Sequence, residues 1–179
     1  MKRMIFSMAL LALTLTSAGK TNDTDPIRQQ IRWEAPAFPS NEEGFIEKLY
    51  LTYYTSDGQR HDIVSDMSLP MPADAFAGGD IEEPDINFDG IPDLQVSVGF
   101  MNATGHNPVY NWYVWDVRSH SFIEVDNVAI INPTLNEEEK TIYTHMLEGG
   151  TMYVDSYRWK GLQLEKTGEW AEDWSEMTE

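Results

Sequence analysis

Residues 85–100 read "DINFDGIPDLQVSVGF", an acidic loop running straight into an alternating stretch. Leu94, Val96, Val98 and Phe100 fall on one side and Gln95, Ser97 and Gly99 on the other, which is the period-2 pattern of a half-buried strand. The loop before it places Asp85, Asn87 and Asp89 at alternating positions, then Gly90, Ile91 and Asp93. Calcium takes six to eight hard oxygens from a loop able to wrap around it. Side chains at relative positions 1, 3 and 5 aim at one centre, a glycine at 6 permits the sharp turn, and 7 offers its carbonyl. The sequence therefore predicts a calcium loop with Asp85, Asn87, Asp89, Ile91 (through its carbonyl) and Asp93 as ligands, with Glu82 or Glu83 able to add an oxygen. The bidentate Glu of an EF-hand is missing, because Val96 stands at position 12. Pro84 before the loop and alternation after it also argue against helix–loop–helix. With no His or Cys in the loop, a zinc or redox metal is not expected there. The competing reading is a polar Asx-Gly turn among scattered surface acids.

The rest of the chain has the same β texture. Leu49, Leu51 and Tyr53 alternate with Tyr50, Thr52 and Tyr54, and Ser56-Asp57-Gly58 turns the chain toward Ile63 and Val64. Pro70 and Pro72 argue for an irregular connection over 68–79. Residues 109–117, "VYNWYVWDV", are apolar on both faces, which describes a strand covered on both sides or one covered side and one awaiting a partner. "NEEEKTIYTHML" reads as a turn leading into a strand, since Thr141, Ile142, Tyr143 and Thr144 are β formers. The end, "EWAEDWSEMTE", spaces Trp170, Trp174 and Met177 so that a short amphipathic helix or a frayed acidic end are both open. The fold class expected is all-β, an antiparallel β-sandwich with a calcium loop entering a central strand.

Lys2 and Arg3 precede an apolar run from Met4 to Thr16, and Thr16-Ser17-Ala18 supplies small residues for cleavage. Residues 1–18 therefore read as a bacterial signal peptide, and no cysteine follows it for lipid attachment, so a periplasmic location is expected. Residues 19–44 read as an extended arm with Ile31, Trp33 and Phe38 as docking points, 45–168 as the β-sandwich, and 169–179 as an acidic tail. About 160 residues remain after cleavage, enough for one domain burying roughly 70% of its unfolded surface.

The chain has 12 Lys+Arg against 30 Asp+Glu, net −18; without Lys2 and Arg3 the balance is 10 against 30, net −20. Such a surface repels nucleic acid and anionic membranes and favours cations or a basic partner, unless it serves solubility alone. With no cysteine, no disulfide staples the fold, and a metal clip is a natural substitute. His61, His106, His120 and His145 have no metalloprotease or triad spacing, and no nucleotide-binding glycine pattern occurs. No catalytic residues are assigned, and an enzyme is not expected.

The ordered series "DINFDGIPDLQVSVGFMNATGHNPVYNWYVWDVRSHSFIEV", "INPTLNEEEKTIYT" and "YRWKGLQLEK" resembles a bacterial periplasmic family over roughly residues 45–166. That family includes calcium-binding immunity proteins that neutralise a lysozyme-like effector of a bacterium-killing type IV secretion system. It is similar in fold to the periplasmic inhibitors of invertebrate-type lysozyme. The resemblance implies a β-sandwich whose loop plugs the cleft of a peptidoglycan hydrolase. In lysozyme inhibitors that loop carries a serine, a glycine and, shortly after, a tyrosine; the matching positions are Thr104 and Gly105, with Tyr110 the nearest tyrosine. Thr104, Gly105, His106 and Tyr110 are thus the expected partner-binding residues, against the competing reading of an ordinary hairpin connection with Tyr110 in the core, and a basic, lysozyme-like hydrolase is the expected partner. Two other readings stay open. One is a calcium-dependent glycan- or surface-binding module using the aromatic residues 110–115, with Trp112 and Trp115 as sugar platforms. The other is an envelope protein in which calcium is purely structural.

Overall fold

In the computed structural model, residues 25–74, 81–101 and 107–175 are described. Apart from one short helix, α1 (Pro26–Gln29), all the regular elements are strands: β1 (Arg32–Trp33), β2 (Phe45–Tyr54), β3 (Arg60–Pro72), β4 (Ile81–Glu82), β5 (Leu94–Phe100), β6 (Pro108–Asp116), β7 (Ser121–Glu124), β8 (Ile130–Ile131), β9 (Thr134–Asn136), β10 (Thr141–Glu148), β11 (Thr151–Lys160) and β12 (Gln163–Asp173). They form three antiparallel sheets, β1-β2-β3, β4-β5-β6-β7 with β8 added beside β6, and β12-β11-β10-β9. The all-β sandwich expected from sequence is what the chain adopts.

Strand β6 explains why three layers pack together. Its alternate side chains enter two different cores. Tyr113 and Trp115 join Leu49, Leu51 and Tyr53 of β2, Ile63 of β3 and Leu94, Val96 and Val98 of β5. Trp112 and Val114 join Ile86, Val125, Ile130, Ile142 of β10, Tyr157 of β11 and Leu164 of β12. The stretch that was apolar on both faces is a strand covered on both sides. Trp112 is fully buried and Trp115 is 2% exposed, so neither can serve as a platform for sugar rings. The aromatic surface expected for a glycan-binding module is consequently absent there.

Three segments depart from their sequence reading. The first is β3, which continues through Pro70 to Pro72 instead of ending near Ser68. Its register with β2 passes from Asp66↔Lys48 directly to Met71↔Ile46, so Pro70 falls in a bulge where no ladder bond is required of it. The second is the end of the chain, where β12 runs on to Asp173, pairing Trp170 with Val154 and Asp173 with Thr151. Ten residues of β11 supply a template that local spacing cannot reveal, so the boundary expected at 169 falls inside a strand.

The third is the arm before residue 45, which is built into the fold. β1 pairs with the end of β2, Ala37 bridges Tyr50, and Ile27, Ile31, Trp33 and Phe38 pack on the first core. Ile31, Trp33 and Phe38 are the docking points expected of them. Asp25 caps α1 by accepting from the Ile27 N–H, and its other oxygen accepts from Trp115 Nε1 at 2.6 Å. Burial alone would push the Asp25 carboxyl up, but these bonds outweigh it and hold it below its ordinary value. Arg28 is buried, donates from Nε to the Pro92 carbonyl at 2.8 Å, and lies 5.1 Å from the centre of the Phe122 ring.

Candidate functional site: the acidic loop and the opposite end of β5

The acidic loop is a tightly wound turn held by its own acids. Asp85 accepts from the backbone N–H of Asp89 (3.0 Å) and Gly90 (2.9 Å), and Asn87 Oδ1 from Asp89 N–H at 3.0 Å. Asp89 accepts from Ile91 N–H at 2.8 Å. Gly90 has φ +88, the left-handed conformation that the sequence pattern reserves for glycine. Ile86 and Ile91 point away into the second and first cores, respectively. The loop is thereby pinned between layers, and the Ile86 carbonyl also accepts from Trp159 Nε1 at 2.9 Å.

Asp93 is the anchor of this turn. It is fully buried, and its Oδ2 accepts from the N–H groups of Ile86 (2.8 Å) and Asn87 (3.1 Å) while Oδ1 accepts from Trp115 N–H at 2.8 Å. One carboxylate thus ties the start of the loop to β6. Burial pushes its pKa up to about 7, with the backbone donors opposing and the Asp89 charge adding to the rise. Burial also raises Asp85, and Asp89 adds to it by repulsion.

The donor chemistry suits a hard divalent cation: oxygens only, with Asp85 and Asp93 desolvated and both repelled by Asp89. The oxygens, however, are turned onto the loop's own N–H groups. Among the described residues no three His, Cys, Asp or Glu side chains group as a metal site. Neither glutamate expected to contribute is turned to the loop. Glu82 accepts from Gln95 at 2.9 Å, and Glu83 accepts from Trp33 Nε1 at 3.2 Å and sits 3.4 Å from Arg28.

The expected partner loop leaves from the other end of β5, roughly 20 Å along a seven-residue strand. Thr104, Gly105 and His106 lie outside the described residues. The stem is described, and it is clamped. Met101 N–H donates to the Asn107 carbonyl at 2.9 Å. The buried Asn107 side chain donates to the Leu147 carbonyl (2.9 Å) and accepts from Leu147 N–H (2.7 Å), occupying the edge of β10 as a neighbouring strand would. Gly99, at φ +107, makes the register shift before Phe100, and Ser68 Oγ sits 3.0 Å from both the Val98 and Phe100 carbonyls. Leu69, Phe100 and Met101 are exposed around this stem. Tyr110 is half-buried within β6, opposite Ser97 and Ile130, and packs on the second core. It therefore belongs to the packing of the stem more than to a free loop tip.

Sequence reading did not single out Asn107, Asp25 or Arg28. The sole local signal for Asn107 is its place before Pro108 where a strand begins; the partners of the other two lie 64 and 90 residues away. The described histidines are scattered: His61 stacks on Tyr53 at 4.7 Å, His120 is 3.9 Å from Asp25, and His145 Nδ1 is 3.0 Å from the Asn132 carbonyl. No helix among the described residues is long and apolar enough to cross a membrane.

The layered β-sandwich is the class that the architecture defines. A solved structure described as "Structure of a Xanthomonas Type IV Secretion System related protein" is similar to it, with TM-score 0.52 and 15% identity over 80% of this chain and 77% of that one. At that identity the likeness concerns the fold. No family model and no curated protein matches the chain.

Proposed function

We propose that this protein is a periplasmic, non-catalytic binder that inhibits a basic, lysozyme-like peptidoglycan hydrolase, as a lysozyme inhibitor or an immunity protein. The observation carrying this reading is the end of β5: exposed Leu69, Phe100 and Met101 surround a stem fixed by Asn107. An apolar rim around a rigid stem suits a protein contact, because preorganisation lowers the ordering cost of binding. A hydrolase cleft of this kind holds two carboxylates flanking the scissile bond, and the connection 102–106 offers hydroxyl, backbone and imidazole donors to them. An inhibitor near −20 is steered quickly onto a basic enzyme, with on-rates that fall as salt rises. A structural neighbour described as related to a type IV secretion system is compatible with an envelope role.

In the same reading the loop 85–93 holds Ca2+ through Asp85, Asn87, Asp89, the Ile91 carbonyl and Asp93. Bound there, the ion neutralises clustered carboxylates. The loop's role is structural, since it stands at the opposite end of β5 from the partner stem. Binding to a panel of lysozymes of different types, followed at low and at physiological salt, tests the proposal. Tight, salt-sensitive binding to one type is expected; retention on purified polysaccharide with no hydrolase bound would overturn it.

A further inference from the structure

A groove of about 230 Å³ opens between the 128–131 segment and one face of β10 and β11. Its walls are Val128, Ile131, Met146, Tyr153 and Tyr157, and its one carboxylate is Asp155. The volume is below that of pockets that enclose a cofactor or drug-sized ligand. It suits a single long side chain.

The charge around it has a definite sign. Asp155 accepts from Tyr157 OH at 3.1 Å and pairs with Lys166 at 2.9 Å. Lys166 is shared, because its ammonium also lies 2.6 Å from Glu169. Two carboxylates face one ammonium, so the cluster beside the groove nets one negative charge. Tyr153 stands 43% exposed at the wall, and an aromatic ring beside a carboxylate is a natural seat for a cation and its aliphatic stem.

The groove also adjoins the proposed contact surface. Met146 of its wall precedes Leu147, the residue clamped by Asn107, and Ile131 pairs with Val109 of β6. We propose that this groove docks one basic side chain, arginine or lysine, projecting from the protein partner. The inference rests on the partner reading above and identifies which feature of a basic partner is recognised beside the loop. The cationic head shares the Asp155 carboxylate with Lys166 and the Tyr157 hydroxyl, and its aliphatic stem lies along Met146 and Tyr153.

The test uses the isolated protein and N-acetyl-arginine amide, followed by NMR at the methyl groups of Val128, Ala129, Ile131 and Met146. Saturable shifts confined to these residues are expected, with a dissociation constant in the millimolar range. Asp155→Asn should weaken binding at least tenfold, and Tyr153→Ala should weaken it without touching the Asp155–Lys166 pair. The neutral N-acetyl-citrulline amide should leave the same methyls unmoved. Equal binding of citrulline, filling of the groove by a chitooligosaccharide instead, or the absence of localised shifts would each overturn the proposal. No hydrolase is present, so this outcome is separable from whether the protein inhibits one; loss of arginine binding leaves the inhibitor reading standing.

Discussion

Replacing Asp93 by alanine is the most severe single change that the acidic loop offers. It removes the acceptor of three backbone N–H groups, on Ile86, Asn87 and Trp115, at a fully buried position. Each buried donor left without a partner costs about 1–3 kcal/mol. A gain opposes this, because the carboxylate itself is costly to bury. Its rise from 3.8 to about 7 corresponds to roughly 4 kcal/mol between the neutral and ionised forms. At pH 5 the group is largely protonated in the folded protein, so the opposing gain is small, and the bonds kept by its carbonyl oxygen, together with the cavity left by the side chain, dominate the loss. Asp93→Ala at pH 5 with chelator should therefore lose about 3 kcal/mol or more, which lowers Tm by roughly 6–12 °C for a domain of this size. Asp93→Asn keeps one carbonyl acceptor but sets an NH2 group against a backbone donor, so it should also destabilise. Differential scanning calorimetry measures both variants. A loss below about 1 kcal/mol for Asp93→Ala would refute the role of this carboxylate as the tie between the loop and β6.

Other outcomes follow from the same geometry. In chelator, stability should fall as pH rises from about 4 to about 7, because the folded Asp93 binds its proton more tightly than the unfolded chain does; urea titrations across that range check the slope, and Asp93→Asn should flatten it. Asp25 has the opposite sign: its lowered folded value contributes stability above the unfolded carboxylate range that is lost as pH falls through the folded value, and Trp115→Phe should diminish that acid-side loss. Added calcium should raise Tm, with Asp89→Ala removing the response, and identical melts in calcium and chelator would end the metal proposal. Asn107→Ala should cost about 1–3 kcal/mol by leaving the Leu147 N–H and carbonyl without partners, and should weaken hydrolase binding further by loosening the stem. Gly99→Ala should be strained at φ +107 and press a Cβ to 3.1 Å from Ser68 Oγ, lowering Tm measurably by calorimetry.

Much of the layering was legible because β strands announce themselves by alternation. Leu94, Val96 and Val98 all lie in the first core, and of the two readings left open by the two-sided apolar run of β6 the strand covered on both sides holds, with Tyr113 and Trp115 in one core and Trp112 and Val114 in the other. What escaped were features decided by long-range pairing. Pro70 argued against a strand, yet it falls in a bulge that only the β2 register creates. Trp170 and Trp174 had helical spacing, yet β11 pairs Trp170 into a strand. The acids of the loop were read as calcium ligands around a Gly90 turn, with Asp93 as one among several; the left-handed Gly90 is there, but the bond that ties Asp93 to the Trp115 N–H spans 22 residues, which no local pattern encodes. The family resemblance put Tyr110 with the partner and the competing reading put it in the core; its place within β6 half-buries it on the second core.

The central claim is inhibition, and a lysis assay tests it most directly. The mature protein is titrated into lysozymes of different types acting on peptidoglycan, beside a variant with residues 102–106 replaced by glycine and serine. The account predicts stoichiometric inhibition of one type by the native chain, lost in the variant while its melting curve is unchanged. Full lysis of every substrate at saturating protein, or equal inhibition by the variant, would contradict it.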